Sequence, residues 1–405
     1  MPTFIAKISN HTRLLRAMGG AVLVLSLLAS AAGAAQDQAA DLQAAARLDS
    51  VARLIAGLPP TQADHAELAR TREWTAHARA IQTSWTRVRD GQGAALTAWR
   101  NAELPRGCPV GQTLLYPFSG PDYLNAHWLF PDCASLVLFG LERIGDVPAI
   151  EGMTRQELAQ LLSSVRSFMI NLFARNYFVT DTMHKDFRAE QLRGVVPVFM
   201  VLIALSGGEV LRVAPLGLKP AASAKPAPAR ESPGTRRRGR ELRGVSIHFR
   251  TAGSPQVRRL DYFSFDATDA AITAYPEILD HLRALKPTTT LIKAASYLLH
   301  GNEFSRLREV IIDTSGFIVQ DDTGLPYARL VKRGWQTRVY GNYGIPIPPF
   351  EYAYQPALAT AYGKQKPQAL PFRFGYQLNA HDTRSNLMVA RLPSSVGRPQ
   401  AGPVR

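Results

Sequence analysis

Apolar positions along this chain follow two periods, and the switches between them mark out the elements. From Gln36 to about Arg100 apolar residues recur at helical spacing, as in Leu42, Ala45, Ala46, Leu48, Val51 and Leu54. This predicts helices interrupted at Gly57-Leu58-Pro59-Pro60, with Trp74, Trp85 and Trp99 packing the later ones onto the body. The stretch from Leu114 to Glu142 then compresses strand, turn, helix and strand into little sequence. Thr113 to Phe118 reads as a strand. Ser119 reads as the cap of a helix that begins near Pro121 and stops before Pro131. Ser135 to Phe139 has the continuous apolar character of a strand covered on both faces. Thr154 to Phe173 predicts a helix with Thr154 and Glu157 in capping-box spacing. Val196 to Leu205 is apolar nearly all round and predicts a buried helix, after which Glu209 to Val213 returns as a strand.

Beyond Arg243 the pattern resumes. Gly244 to Arg250 and Arg258 to Phe265 alternate as the two strands of a hairpin. Tyr275 to Leu285, Thr290 to Leu299 and Phe304 to Ile312 read as helices, and Phe317 to Gln320, Tyr327 to Val331 and Trp335 to Tyr340 as a strand meander. Further strands are expected near Phe372 to Leu378 and Asn386 to Ala390. The expected architecture is therefore α/β or α+β: a mixed sheet with covering helices, in two halves (106–214 and 244–392) behind an N-terminal helical segment (36–105). Residues 215–243, rich in Pro, Ala and Arg, have no apolar period and read as a linker or surface loop, and 393–405 as a disordered tail.

Charge changes this picture little. The formal net charge is +15, which brings anionic partners into consideration. Much of the excess lies between Lys219 and Arg243, where eight basic residues face only Glu231 and Glu241. The Arg236-Arg237-Arg238 run reads as a solvated loop, so nucleic acid is not the expected partner. The N-terminus changes the picture more. Lys7, Arg13 and Arg16 precede the apolar run Ala21 to Leu28 and a small-residue cleavage site near Ala32 to Ala35, the layout of a secretory signal over residues 1–35. No transmembrane helix is expected once it is cleaved, and the mature chain is expected in the periplasm or outside the cell. In an oxidising compartment the two cysteines, Cys108 and Cys133, can form a disulfide, and their spacing matches no zinc site.

The segments Tyr116-Pro117-Phe118-Ser119-Gly120-Pro121-Asp122, Ala295-Ser296-Tyr297-Leu298-Leu299-His300 and Val319-Gln320-Asp321-Asp322-Thr323-Gly324-Leu325-Pro326 resemble those of an uncharacterised family of exported bacterial proteins. The resemblance implies export and a shared fold, and carries over no catalytic residue.

Candidate chemistry falls into three groups. Ser119 and Asp122 sit in a turn before a helix, where a nucleophile and a carboxylate would be exposed, although the Gly-x-Ser-x-Gly elbow is missing and His127 reads as structural. Asp322-Thr323-Gly324, preceded by Asp321, is an Asp-Thr-Gly triplet, which for aspartic-protease chemistry needs a second, facing carboxylate and otherwise is ordinary turn chemistry. Arg338, Tyr340, Asn342 and Tyr343, with Tyr352 and Tyr354 beyond, have the aromatic and polar composition of a peptide or carbohydrate groove. No metal ligand set and no cofactor are expected, since His300 and Glu303 lack the His-Glu-x-x-His pattern and no phosphate-binding glycine loop follows a strand. The function expected from these readings is that of an exported soluble envelope protein with a binding or structural role toward an envelope protein or polymer. The alternative is a periplasmic hydrolase with its site near Ser119 or at Asp321/Asp322.

Overall fold

The computed structural model describes residues 38–175, 192–219, 242–348, 350–377 and 384–393. The leader (1–35), most of the basic linker and the C-terminal tail lie outside the described residues. The chain folds around one nine-stranded sheet in the order β3-β4-β5-β2-β1-β6-β7-β9-β8. The strands are β1 (Thr113–Tyr116), β2 (Ser135–Gly140), β3 (Glu209–Leu218), β4 (Leu242–Arg250), β5 (Val257–Ser264), β6 (Thr288–Ile292), β7 (Ser315–Gln320), β8 (Gln336–Gly341) and β9 (Asn386–Arg391). The five central strands are parallel, and antiparallel strands close each edge.

Helices cover both faces, so the central strands are buried on both sides and read as apolar runs, as in Leu114-Leu115-Tyr116 and Leu136-Val137-Leu138-Phe139. Successive side chains alternate between two cores. Leu114, Tyr116, Leu136 and Leu138 point into one, packed by helices of the first part of the chain, including 72–88, 155–175 and 195–205. Leu115, Val137, Phe139, Ile292 and Ile318 point into the other, packed by helices 277–284, 305–314 and 356–365. Helices from 72–205 thus cover one face and helices from 277–365 the other, while the sheet between them takes strands from both parts of the chain.

Several elements differ from their sequence reading. Thr290 to Leu299 is not a helix: Thr288-Thr289-Thr290-Leu291-Ile292 is strand β6, wholly buried, and its β-branched run outweighs the helical spacing of Leu291, Ala295 and Leu298. Tyr327–Lys332 is a short helix begun after Pro326, not a strand. Pro356–Gln365 is a helix that opens on proline, hidden in the sequence by its Pro- and Tyr-rich flanks. Residues 372–377 form no strand. The ordered strands also reach into the linker from both sides, because Ala214 through Leu218 pair with Ser246 through Leu242.

Cys108 and Cys133 form a disulfide that ties the approach to β1 to the approach to β2. Among the described residues no helix is long and apolar enough to cross a membrane.

Candidate functional site

β1 is followed in the chain by β2 on one side of it, whereas β6 lies on the other side. At such a switch in direction the loops leaving the carboxyl ends of neighbouring strands diverge and open a crevice. Here the crevice is a cavity of about 670 Å³, within the usual range for a small-molecule site. Its wall takes residues from the loops after β1 (Phe118, Gly120), β2 (Leu141, Glu142), β5 (Phe265, Asp266) and β6 (Ala294, Ser296, Leu298), closed over by Phe304, Phe350 and Tyr376.

The backbone around it is strained. Phe118, Ala294, Ser296 and Tyr297 have φ of 56°, 51°, 51° and 56°. Among the described residues only Lys366 shares this left-handed conformation without being glycine. A bulky residue there costs on the order of 1–2 kcal/mol, so the surrounding structure must hold it in place.

Buried carboxylates from neighbouring loops do so. Asp321 Oδ2 accepts from the Ala294 amide at 2.7 Å, and Thr323 Oγ1 accepts from the Ala295 amide at 2.7 Å. The Tyr297 hydroxyl donates to Asp322 Oδ2, and Asn386 Nδ2 donates to Asp322 Oδ1 at 2.9 Å. On the other side Lys293 Nζ donates to Asp122 Oδ2 at 3.3 Å, both side chains being buried. Tyr376 donates to the Ala294 carbonyl at 2.8 Å and its oxygen also meets Ser296 Oγ at 2.8 Å.

Burial raises the pKa of Asp321, and the neighbouring charge of Asp322 raises it further; Asp322 is raised by burial. Tyr116 lies beside Asp122 and senses the charge of Asp321 as well; burial first and these carboxylates next push its hydroxyl well above the usual range. These side chains are therefore a framework one layer behind the cavity wall.

Glu142 reaches the wall itself. Its carboxylate is 3% exposed and accepts from the Tyr262 hydroxyl at 3.0 Å. It folds back over Gly140, where a Cβ would lie 2.3 Å from Glu142 Oε2 and 3.2 Å from the Gly120 amide nitrogen. Glycine at 140 thus makes the room that the carboxylate occupies.

The structure redistributes the residues singled out in the sequence. Ser119 is buried, and its Oγ donates to the Gly120 carbonyl at 3.0 Å, not to a base. The helix it was expected to cap begins later, at Tyr123, and Asp122 is its cap, accepting from the Asn125 amide at 3.4 Å. Asp122 and Asp321 meet the adjacent residues Lys293 and Ala294 at the start of the β6 loop, and Asp321 and Asp322 each take hydrogen bonds from different donors. Of Arg338, Tyr340, Asn342 and Tyr343, the first two line one open pocket beside Glu103, and the other two lie apart from it. Arg338 pairs with Glu103 at 3.0 Å and covers the Tyr340 ring. Tyr340 belongs to one core and Tyr343 to the other, where it stacks on Tyr354, while Asn342 is exposed.

Sequence reasoning missed Glu142, Phe265, Phe304, Phe350 and Tyr376 as wall residues. The available signal was a carboxylate set directly after the apolar run of β2.

No protein family, characterised protein or solved structure was found to match the chain. The likeness to an uncharacterised exported family rests on its three segments alone.

Proposed function

We propose that this chain is an exported binding protein whose ligand is a small organic molecule held at the carboxyl ends of β1, β2 and β6. The observation that carries the reading is the coincidence of the cavity, the switch in strand order and the cluster of left-handed non-glycine residues. Strain of this kind is retained where it shapes a site. The leader-like N-terminus and the Cys108–Cys133 disulfide support export into an oxidising compartment.

A hydrolase at this place has less support. Nucleophilic catalysis at Ser119 needs a base beside Oγ, and aspartyl chemistry needs carboxylates that face a substrate together. Ser119 instead meets a carbonyl, and Asp321 and Asp322 serve the loop behind the wall.

Ligand-observed NMR with a diverse fragment set tests the reading. Wild-type protein should show saturable fragment binding, and Leu298→Trp, which fills the wall at a half-buried position, should abolish it with an unchanged circular dichroism spectrum. Equal binding by both proteins would overturn the assignment.

A further inference from the structure

The lining of the cavity narrows its ligand, an inference that rests on the reading of the cavity as a binding site. We infer that the ligand is an uncharged organic molecule carrying a flat aromatic ring. Two observations lead there: the polar side chains of the wall are engaged within the protein, and most of the remaining wall is aromatic. The Tyr376 hydroxyl donates to the Ala294 carbonyl at 2.8 Å, so Ser296 Oγ, 2.8 Å from the same oxygen, is the donor of that second contact. Glu142 Oε2 accepts from the Tyr262 hydroxyl at 3.0 Å and lies against Gly140. Asp266, at the exposed rim, accepts from the Thr268 amide at 2.9 Å. No Lys or Arg is found among the described residues of the wall. A ligand therefore gains little here from ionic contacts and most from taking apolar surface out of water. A charged ligand would give up its hydration on entry. An anion would in addition meet the carboxylates of Glu142 and Asp266, and an ammonium would find Glu142 already held by Tyr262.

The aromatic wall decides for a ring over an aliphatic body. Phe118 meets Phe139 at 5.6 Å and Phe304 at 5.8 Å, both edge to face. Phe139 in turn meets Phe265 at 5.1 Å, and Phe350 stacks on Tyr376 at 5.5 Å. The wall thus presents rings in both of the arrangements that aromatic pairs prefer, and a flat aromatic guest can extend either of them. Such pairs contribute beyond the area that they bury, a gain which a saturated ring of the same size does not share. The backbone points the same way. Glycine is the residue that a left-handed conformation favours, and at φ 56° a phenyl ring, that of Phe118, stands in its place. The apolar surface also continues outside the cavity. Leu141 of the wall is 54% exposed, and Tyr352, whose ring meets that of Phe350 at 6.5 Å, is 79% exposed. Exposed apolar groups gathered beside a cavity extend the surface that a ligand can cover.

The test compares probes of similar size on the full chain with its disulfide intact: 2-phenylethanol, 2-cyclohexylethanol, phenylacetate and 2-phenylethylammonium, titrated by ligand-observed NMR at pH 7. 2-Phenylethanol should bind about threefold or more tighter than 2-cyclohexylethanol, although the saturated ring leaves water at least as readily, and about tenfold or more tighter than either charged probe. Phe118→Leu, which keeps an apolar side chain and removes a ring, should lower the preference for phenyl over cyclohexyl by about twofold. Phe350→Leu, on a different segment, should do the same and serves where Phe118→Leu does not fold. Equal or tighter binding of 2-cyclohexylethanol, binding of a charged probe as tight as that of 2-phenylethanol, or an unchanged preference in both variants would overturn the inference about the ligand and leave the cavity as a binding site. Absence of binding by every probe at millimolar concentration would overturn the cavity reading itself.

Discussion

Breaking the Asp122–Lys293 pair should be costly singly, and changing both partners together should cost no more than the worse single change. Lys293 Nζ lies 3.3 Å from Asp122 Oδ2, and the two side chains are 1% and 7% exposed. The same carboxylate accepts from the Tyr116 hydroxyl at 2.7 Å and from Asn125 Nδ2 at 2.9 and 3.0 Å. Asp122→Asn preserves the shape but removes the negative charge from beside a buried ammonium, which costs about 3–5 kcal/mol. Lys293→Met leaves the carboxylate to its neutral donors Tyr116 and Asn125, and removes one charge-assisted hydrogen bond, a loss of about 2 kcal/mol. In the double variant neither buried charge remains, so its loss should not exceed that of Asp122→Asn. The coupling in a double-mutant cycle should then be about 2 kcal/mol or more. Urea unfolding at pH 7, followed by circular dichroism with the disulfide intact, supplies the four free energies. Since Lys293 directly precedes the strained Ala294 to Tyr297 loop, amide exchange there should quicken in both single variants. Additivity within about 0.5 kcal/mol would refute the argument, because the two charges would then not depend on each other.

Three further outcomes follow from the same framework. Replacing Cys108 and Cys133 by serine should lower stability by roughly 3.5 kcal/mol, the chain-entropy cost of freeing a loop with its ends 25 residues apart; a thiol count on denatured, unreduced wild type should find none, and two free thiols would contradict the pairing. Burial first, and then the charges of Arg258 and Arg100, lower the His127 pKa to about 4 from 6.5. The unfolded chain therefore binds the extra proton, and stability should be lost as pH falls from about 6.5 to about 4, with a slope of up to about 1.4 kcal/mol per pH unit. His300 is lowered to about 4 by burial as well, so the slope in His127→Gln should be shallower across the same range without vanishing, and an unchanged slope would sink the assignment. Asp321 shows the opposite sign, because its raised folded pKa means that the native state holds the proton above the ordinary carboxylate range and loses stability as pH rises. Asp322→Asn, which removes the repelling neighbour, should therefore compare more favourably with wild type at pH 8 than at pH 5 in urea titrations; a pH-independent difference would contradict it.

What the sequence made legible was local. The strand, helix and strand between Thr113 and Gly140 were readable because their caps, prolines and apolar runs act within a few residues of one another. Even there, the cap moved from Ser119 to Asp122, since both residues offer an acceptor at a helix start and Asp122 also gains Tyr116 and Lys293 as partners. β6 was misread because Leu291, Ala295 and Leu298 have helical spacing, whereas the β-branched run Thr288 to Thr290 and its place between β1 and β7 decide for the strand. The cavity was not legible. Phe118, Glu142, Phe265, Ser296 and Phe350 are far apart in sequence and meet only through the order of the central strands, β5-β2-β1-β6-β7, which no local pattern encodes. The acidic residues that stood out in the sequence, Asp321 and Asp322, were conspicuous for a reason different from the one first attached to them. They hold the loop that shapes the wall.

The most direct test of the account is a crystal structure of the protein saturated with a probe taken from the fragments that bind it in ligand-observed NMR. The account predicts the probe in the cavity between Phe118 and Phe350, with Ala294, Ser296 and Tyr297 retained in their left-handed conformation. A probe bound elsewhere, as beside Arg338 and Glu103, with the cavity empty would contradict it.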